Sequence, residues 1–109
     1  MLPNFEHAYV APDKVRDYLL SPTHPIGRFK ATVFAALGYN QENWEALLED
    51  LLKMARTGSA SPGQPSPFGQ KFEVNGILIG PSGRSAEFIS IWMVRSGEDI
   101  PTFVTAFPR

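Results

Sequence analysis

The hydrophobic period of this chain switches once, and the switch decides its fold class. In the stretch 40–57, Trp44, Leu47, Leu48, Leu51, Leu52 and Ala55 fall on the i, i+3, i+4, i+7 stripe of an amphipathic helix. From Phe68 onward β-branched and aromatic residues dominate, broken by GPSG at 80–83 and SGED at 96–99, both turn signals. Between the two regimes lies GSASPGQPSP (58–67), with three prolines, two glycines, three serines and no hydrophobe larger than alanine. That segment has nothing to bury, so the sequence predicts a mobile, flexible linker. The expectation is an α+β domain. About three N-terminal helices pack on one face of a C-terminal antiparallel three-stranded meander.

With 109 residues the chain reads as a single domain, with a helical half at 12–57, the linker at 58–67 and a β half at 68–109. Pro12 and Asp13 open the first predicted helix, along which Val15, Tyr18, Leu19 and Leu20 recur until Pro22 stops the pattern. Pro25 suits the first turn of the second, which runs to Leu37 with Phe29, Val33, Phe34 and Leu37 inward and Gly38 as its C-terminal cap. Asn40 caps the third, and Gly58 ends it. Strands are expected at 70–79, 84–95 and 100–107, with Pro101 favouring an edge position for the last. The stretch 8–11 reads as a short additional edge strand. The middle strand, SAEFISIWMV, is apolar on both faces near its centre. Three helices can cover only one side of such a sheet, so the other face is left to meet something.

Composition removes whole classes of chemistry. The absence of cysteine rules out disulfides, thiolate nucleophiles and cysteine zinc sites, and two histidines leave little for another metal cage. No cofactor and no metal are expected. Ten Lys+Arg against eleven Asp+Glu give a net charge of −1, and the isoelectric point near 6.1 exerts no global pull on nucleic acid or an acidic membrane. Any affinity for anions must be local. The opening MLPNFEHAYV lacks the basic n-region and apolar run of a signal peptide, and no apolar run approaches a membrane span. A cytoplasmic protein without membrane contact is the expectation.

Local charge does stand out once. No carboxylate occurs between Asp17 and Glu42, whereas His24, Arg28 and Lys30 gather where the second predicted helix begins. Cations at a helix N-terminus oppose the macrodipole, and a bound anion offsets that cost. Two readings stand: a phosphate site built from backbone N–H groups, Arg28, Lys30 and His24, or a solvated basic face with His24 as a hydrogen-bonded turn residue. Strand register supplies a second constellation. With four-residue turns at 80–83 and 96–99, Glu73, Ser90 and Thr105 line up across the sheet beside Trp92 and Phe103. That row is either a substrate-orienting surface with Glu73 as general base, or an ordinary hydrogen-bonded ladder. A one-residue slip dissolves it. Arg84, beside the GPSG turn, either reaches an anion or caps the sheet end. His7 has no partner nearby in sequence, Trp44 belongs to the helical stripe, and Glu42, Glu45, Glu49 and Asp50 form an acidic solvent face that repels nucleic acid.

The strings DYLLSPTHPIGRFKATVFAALGY (17–39) and GQKFEVNGILIGPSGRSAEFISIWMVRSGEDIPTFVTAFP (69–108) resemble the bacterial family termed domain of unknown function 6883. The most specific pieces are the histidine, glycine and lysine of HPIGRFK, the GPSGR turn and the closing VTAFP. More distantly, helices followed by a meander ending in threonine, alanine, aromatic, proline resemble the barnase, EndoU, colicin and RelE group of small metal-independent ribonucleases, many of them toxins. This resemblance implies a sheet face carrying histidine, lysine, arginine and hydroxyl groups, of which this sequence offers one well-placed histidine. Two functions follow. The first is a non-catalytic module that binds a small protein partner or a second copy of itself, as a homodimer, through the sheet. The alternative is a toxin-like endoribonuclease in which Lys30 and Arg84 steady a phosphate, His24 or Glu73 moves a proton, and Thr105 positions an oxygen on an RNA substrate.

Overall fold

The computed structural model describes residues 2–109. A 3-10 turn at Phe5–His7 leads to a π-helical segment, Lys14–Leu19, then to helices α1 (Arg28–Ala36) and α2 (Trp44–Thr57). Four strands follow, β1 (Ser59–Ser66), β2 (Gly69–Ile79), β3 (Ser85–Arg95) and β4 (Thr102–Pro108), in the antiparallel order β1-β2-β3-β4. The α+β class is as the hydrophobic period implies, but the sheet has four strands.

The fourth strand is the segment expected as a linker. Residues Ser59–Ser66 pair with Gly69–Asn75 of β2, with an irregularity between Pro62 and Pro65. Polar, proline-containing sequence succeeds here because β1 is an edge. An edge strand needs only half its backbone groups in the ladder, so a missing proline N–H is tolerated where it faces solvent. Where the ladder breaks, the Gln70 Nε2 donates to the Gly63 carbonyl at 2.6 Å. Of the edge strand expected at 8–11, only one parallel bridge forms, Tyr9 to Thr102.

The even-numbered residues of β2 and β3 meet the helices. Val74, Leu78, Phe88, Ser90 and Trp92 are buried there, joined by Phe103 and Ala106 of β4 and by Leu47, Leu51 and Met54 of α2. Phe34 of α1 stacks on Phe88 at 5.1 Å, and Trp92 meets Phe103 edge to face at 5.4 Å. Trp92 is thus a core residue, and Trp44 is half-buried under the Arg16 guanidinium, 5.5 Å from the ring centre. Phe29, expected inward, is 67% exposed. The inward positions of α1 are Ala31 and Phe34, and Phe29 stands two residues before Ala31, about 200° round the helix.

Helix α1 ends as its glycine implies. Gly38 adopts φ 97°, its N–H donates to the Ala35 carbonyl at 2.9 Å and that of Tyr39 to the Phe34 carbonyl at 3.1 Å, the paired bonds of a Schellman cap. A side chain there would also press on the Ser82 amide, 2.6 Å from the Cβ position. Asn40 is not the cap of α2, whose N-cap is Asn43 without a side-chain cap bond; it closes the preceding turn, its Oδ1 accepting from the amides of Glu42 and Asn43 at 2.9 and 3.0 Å, while Asn43 Oδ1 accepts from that of Asn40 at 2.7 Å.

Candidate functional site

The expected row of Glu73, Ser90 and Thr105 does not form. The first hairpin takes Arg84 into its turn, with the Gly80 amide donating to the Arg84 carbonyl at 2.9 Å, so Ile79 pairs with Ser85 and Glu73 with Ile91. In the second hairpin Trp92 pairs with Phe103 as expected, but an extra residue, Val104, shifts the rest so that Ile91 pairs with Thr105. Ser90 turns into the core, where it donates to the Val74 carbonyl at 3.2 Å and accepts from Trp92 Nε1 at 2.8 Å. Glu73 is exposed in the same cross-strand row as Thr105, two strand spacings away, or about 10 Å.

Lys30 and Thr105 do meet. Nζ of Lys30, in the first turn of α1, donates to Oγ1 of Thr105 at 2.6 Å, a contact across 75 positions of sequence. The ammonium also lies 5.4 Å from the centre of the Tyr18 ring and 6.0 Å from that of Phe107. Thr105 and Phe107 flank core-facing Ala106, so the lysine reaches past the outer edge of β4 to touch both. Among the described residues no carboxylate lies within ion-pair distance of Lys30.

Tyr18 is brought here by the π-helical winding. Leu20 N–H donates to the Val15 carbonyl at 3.0 Å, a bond spanning five residues. This wider turn buries Val15, Leu19 and Leu20 and leaves Tyr18 half-buried at the margin. Burial pushes the Tyr18 phenol up, but the Thr105 hydroxyl, the Lys30 ammonium and the charge of Lys14 together outweigh it, and the group ionises below its ordinary value. In the sequence Tyr18 looks like one more member of an apolar stripe; its hydroxyl is the one available signal.

His24 adjoins the same ring, edge to face at 5.2 Å. Its Nδ1 accepts from the amides of Ile26 and Gly27, each at 3.0 Å, and its carbonyl accepts from the Arg28 amide at 3.1 Å. Two consequences follow. The backbone cradle expected for a phosphate is filled by the chain's own imidazole. With Nδ1 an acceptor, the ring proton sits on Nε2, so His24 is a hydrogen-bond donor rather than a proton acceptor.

The other basic residues do not converge on this point. Arg28 is two positions from Lys30 and therefore on another face of α1; its guanidinium lies 4.8 Å from the Phe29 ring centre. Arg84 belongs to the hairpin whose Ser82 amide donates to the Leu37 carbonyl at 3.1 Å, at the C-terminal end of α1, about 10 Å along the axis from Lys30. His7 is exposed in the 3-10 turn. Tyr18, His24, Lys30 and Thr105 form the cluster, a cation with hydroxyl groups and a fixed N–H donor at one sheet edge. Among the described residues, no helix is long and apolar enough to cross a membrane.

No curated protein matches the chain. A solved structure does, at the level of fold: the contact-dependent growth inhibition toxin–immunity protein complex from Klebsiella pneumoniae 342 has a chain with a TM-score of 0.71 at 18% identity, covering 96% of each. The family model for the domain of unknown function DUF6883 matches residues 1–109, and the chain belongs to that family.

Proposed function

We propose that this domain is a toxin-like, metal-independent endoribonuclease. The observation that carries the reading is the Lys30–Thr105 contact of 2.6 Å, with no carboxylate among the described residues within ion-pair distance of the cation. An ammonium fixed by a hydroxyl suits the negative charge that develops on the non-bridging phosphate oxygens when a ribose 2′-hydroxyl attacks its neighbouring phosphate. In that step the 2′-oxygen to phosphorus bond forms and the bond to the 5′-oxygen breaks. Tyr18, whose phenol ionises below its ordinary value despite its burial, takes the 2′ proton as the base; the leaving 5′-oxygen takes one from water. His24 donates from Nε2 to a non-bridging oxygen, and Thr105 holds Lys30 in place. Arg84 and Glu73 have no part.

The test is RNA incubated with purified protein in chelator. Cleavage leaving cyclic phosphate ends is expected, lost in Lys30→Ala and reduced in Thr105→Ala with circular dichroism unchanged. Intact mixed RNA at every salt concentration overturns the proposal.

A second reading, a module that binds a small protein or its own copy, is favoured by the uncovered face of the sheet. Ile77 and Ile79 are 64% and 65% exposed there, and Phe68, in the turn between β1 and β2, is 77% exposed. The neighbouring solved structure is a contact-dependent growth inhibition toxin–immunity protein complex, which suits a small protein partner for this fold as well. Light scattering checks self-association; a strict monomer removes the homodimer.

A further inference from the structure

A groove of about 800 Å³ lies at the start of β4, between Thr102–Val104, the segment carrying Tyr9 and the turn that precedes the strand. Tyr9, Lys14, Arg95, Glu98, Asp99 and Val104 line it. Two of its lining residues adjoin the candidate site. Val104 immediately precedes Thr105, and the Lys14 ammonium lies 5.9 Å from the centre of the Tyr18 ring on which Lys30 also rests. Tyr9, 53% exposed, is held there by its backbone: its N–H donates to the Pro101 carbonyl at 2.9 Å and its carbonyl accepts from the Phe103 amide at 2.8 Å. The ring is therefore carried on the sheet itself, without the entropy cost of a mobile loop.

We propose that this groove is a nucleobase subsite that seats the nucleotide next to the phosphate being cut, stacked on Tyr9, and that it prefers bases carrying an exocyclic amino group. The inference rests on the ribonuclease reading for the phosphate but not for the base. An aromatic platform with adjacent cations is the pairing that single-stranded nucleic acid uses, base on ring and phosphate on ammonium. Lys14 and Arg95 supply the cations. Glu98 and Asp99 would repel phosphate, yet they accept N–H donors, and adenine, cytosine and guanine present an amino group that uracil lacks. Their place in a groove that otherwise suits a polyanion is what the amino preference explains.

Titration of the wild-type protein with AMP, CMP and UMP, followed by amide chemical shifts, tests the subsite without requiring cleavage. AMP and CMP are expected to move the amides of Tyr9, Arg95 and Val104, with UMP binding more weakly. Tyr9→Ala should weaken AMP binding about tenfold, and Tyr9→Phe should retain it. Silence of those amides, equal affinity for UMP, or an unaffected Tyr9→Ala overturns the proposal. A protein that binds AMP in the groove but leaves RNA intact keeps the subsite and loses the nuclease; one that cuts RNA without shifts at the groove does the reverse.

Discussion

The ammonium of Lys30 lies 5.4 Å from the centre of the Tyr18 ring. Two effects meet there: burial disfavours the phenolate, and the Thr105 hydroxyl with the charges of Lys30 and Lys14 favours it more strongly. Because the folded phenol ionises below its ordinary value of 10.0, the stability it contributes is present above that value and is lost as pH falls through the folded one. Lys30→Met should move the Tyr18 transition upward in a phenolate absorbance titration, with Tyr18→Phe as the reference that identifies it. A titration unchanged by Lys30→Met would show that the ammonium does not act on the phenol.

Tyr39 shows the opposite sign in the same fold. Burial, then its hydrogen bond to Asp50 and the charge of that carboxylate, raise the phenol well above its ordinary value. The unfolded chain therefore loses this proton at lower pH than the folded one, and stability falls as pH rises above about 10. In denaturant unfolding, Tyr39→Phe should be less stable near neutrality by about 1 kcal/mol and should show a shallower alkaline decline. An equally steep decline would assign the alkaline loss to other groups.

Ser90 is a stability residue. With its hydroxyl shared between the Val74 carbonyl and the Trp92 indole N–H, and no exposure to solvent, Ser90→Ala strands a buried donor at a cost of about 1–3 kcal/mol. Urea unfolding should show a lower midpoint with an unchanged slope, and any RNA cleavage by the folded fraction should persist. Loss of cleavage without loss of stability would return Ser90 to the site.

These residues also show what the sequence makes legible. The stripe from Trp44 to Ala55 and the Gly38 cap are local patterns, and both elements stand where they imply. The register of the sheet is not local. One residue taken into the Arg84 turn and one inserted at Val104 decide whether Glu73 and Thr105 share the face of Ser90 or stand opposite Ile91 on the other one, and neither is marked in the alternation of β3 itself. Strand β1 escapes notice for a related reason: an edge with mostly exposed side chains needs no apolar period, only backbone groups facing β2. Of the candidate site, Lys30 and His24 are visible as basic residues in a stretch without carboxylates. Their convergence with Thr105 depends on tertiary packing. Tyr18 is hidden because a π-helical turn changes which of Val15, Tyr18 and Leu19 faces inward.

Glu73 and Tyr18 offer opposite expectations for the same chemistry. Glu73 looks like a general base from its sheet position, yet it stands two strands from Thr105, about 10 Å, with Ile91 between them. A base must come within hydrogen-bond reach of the proton it removes, or within one water of it. Glu73→Gln should therefore leave the cleavage rate within about twofold, whereas Tyr18→Phe removes a contribution of about a hundredfold or more and flattens the alkaline limb of the pH–rate profile. The flattening separates proton transfer from a packing role, since loss of packing lowers the rate without changing its pH dependence. If Glu73→Gln abolishes cleavage while Tyr18→Phe preserves it, the reacting phosphate lies over the open sheet face and not at the edge of β4.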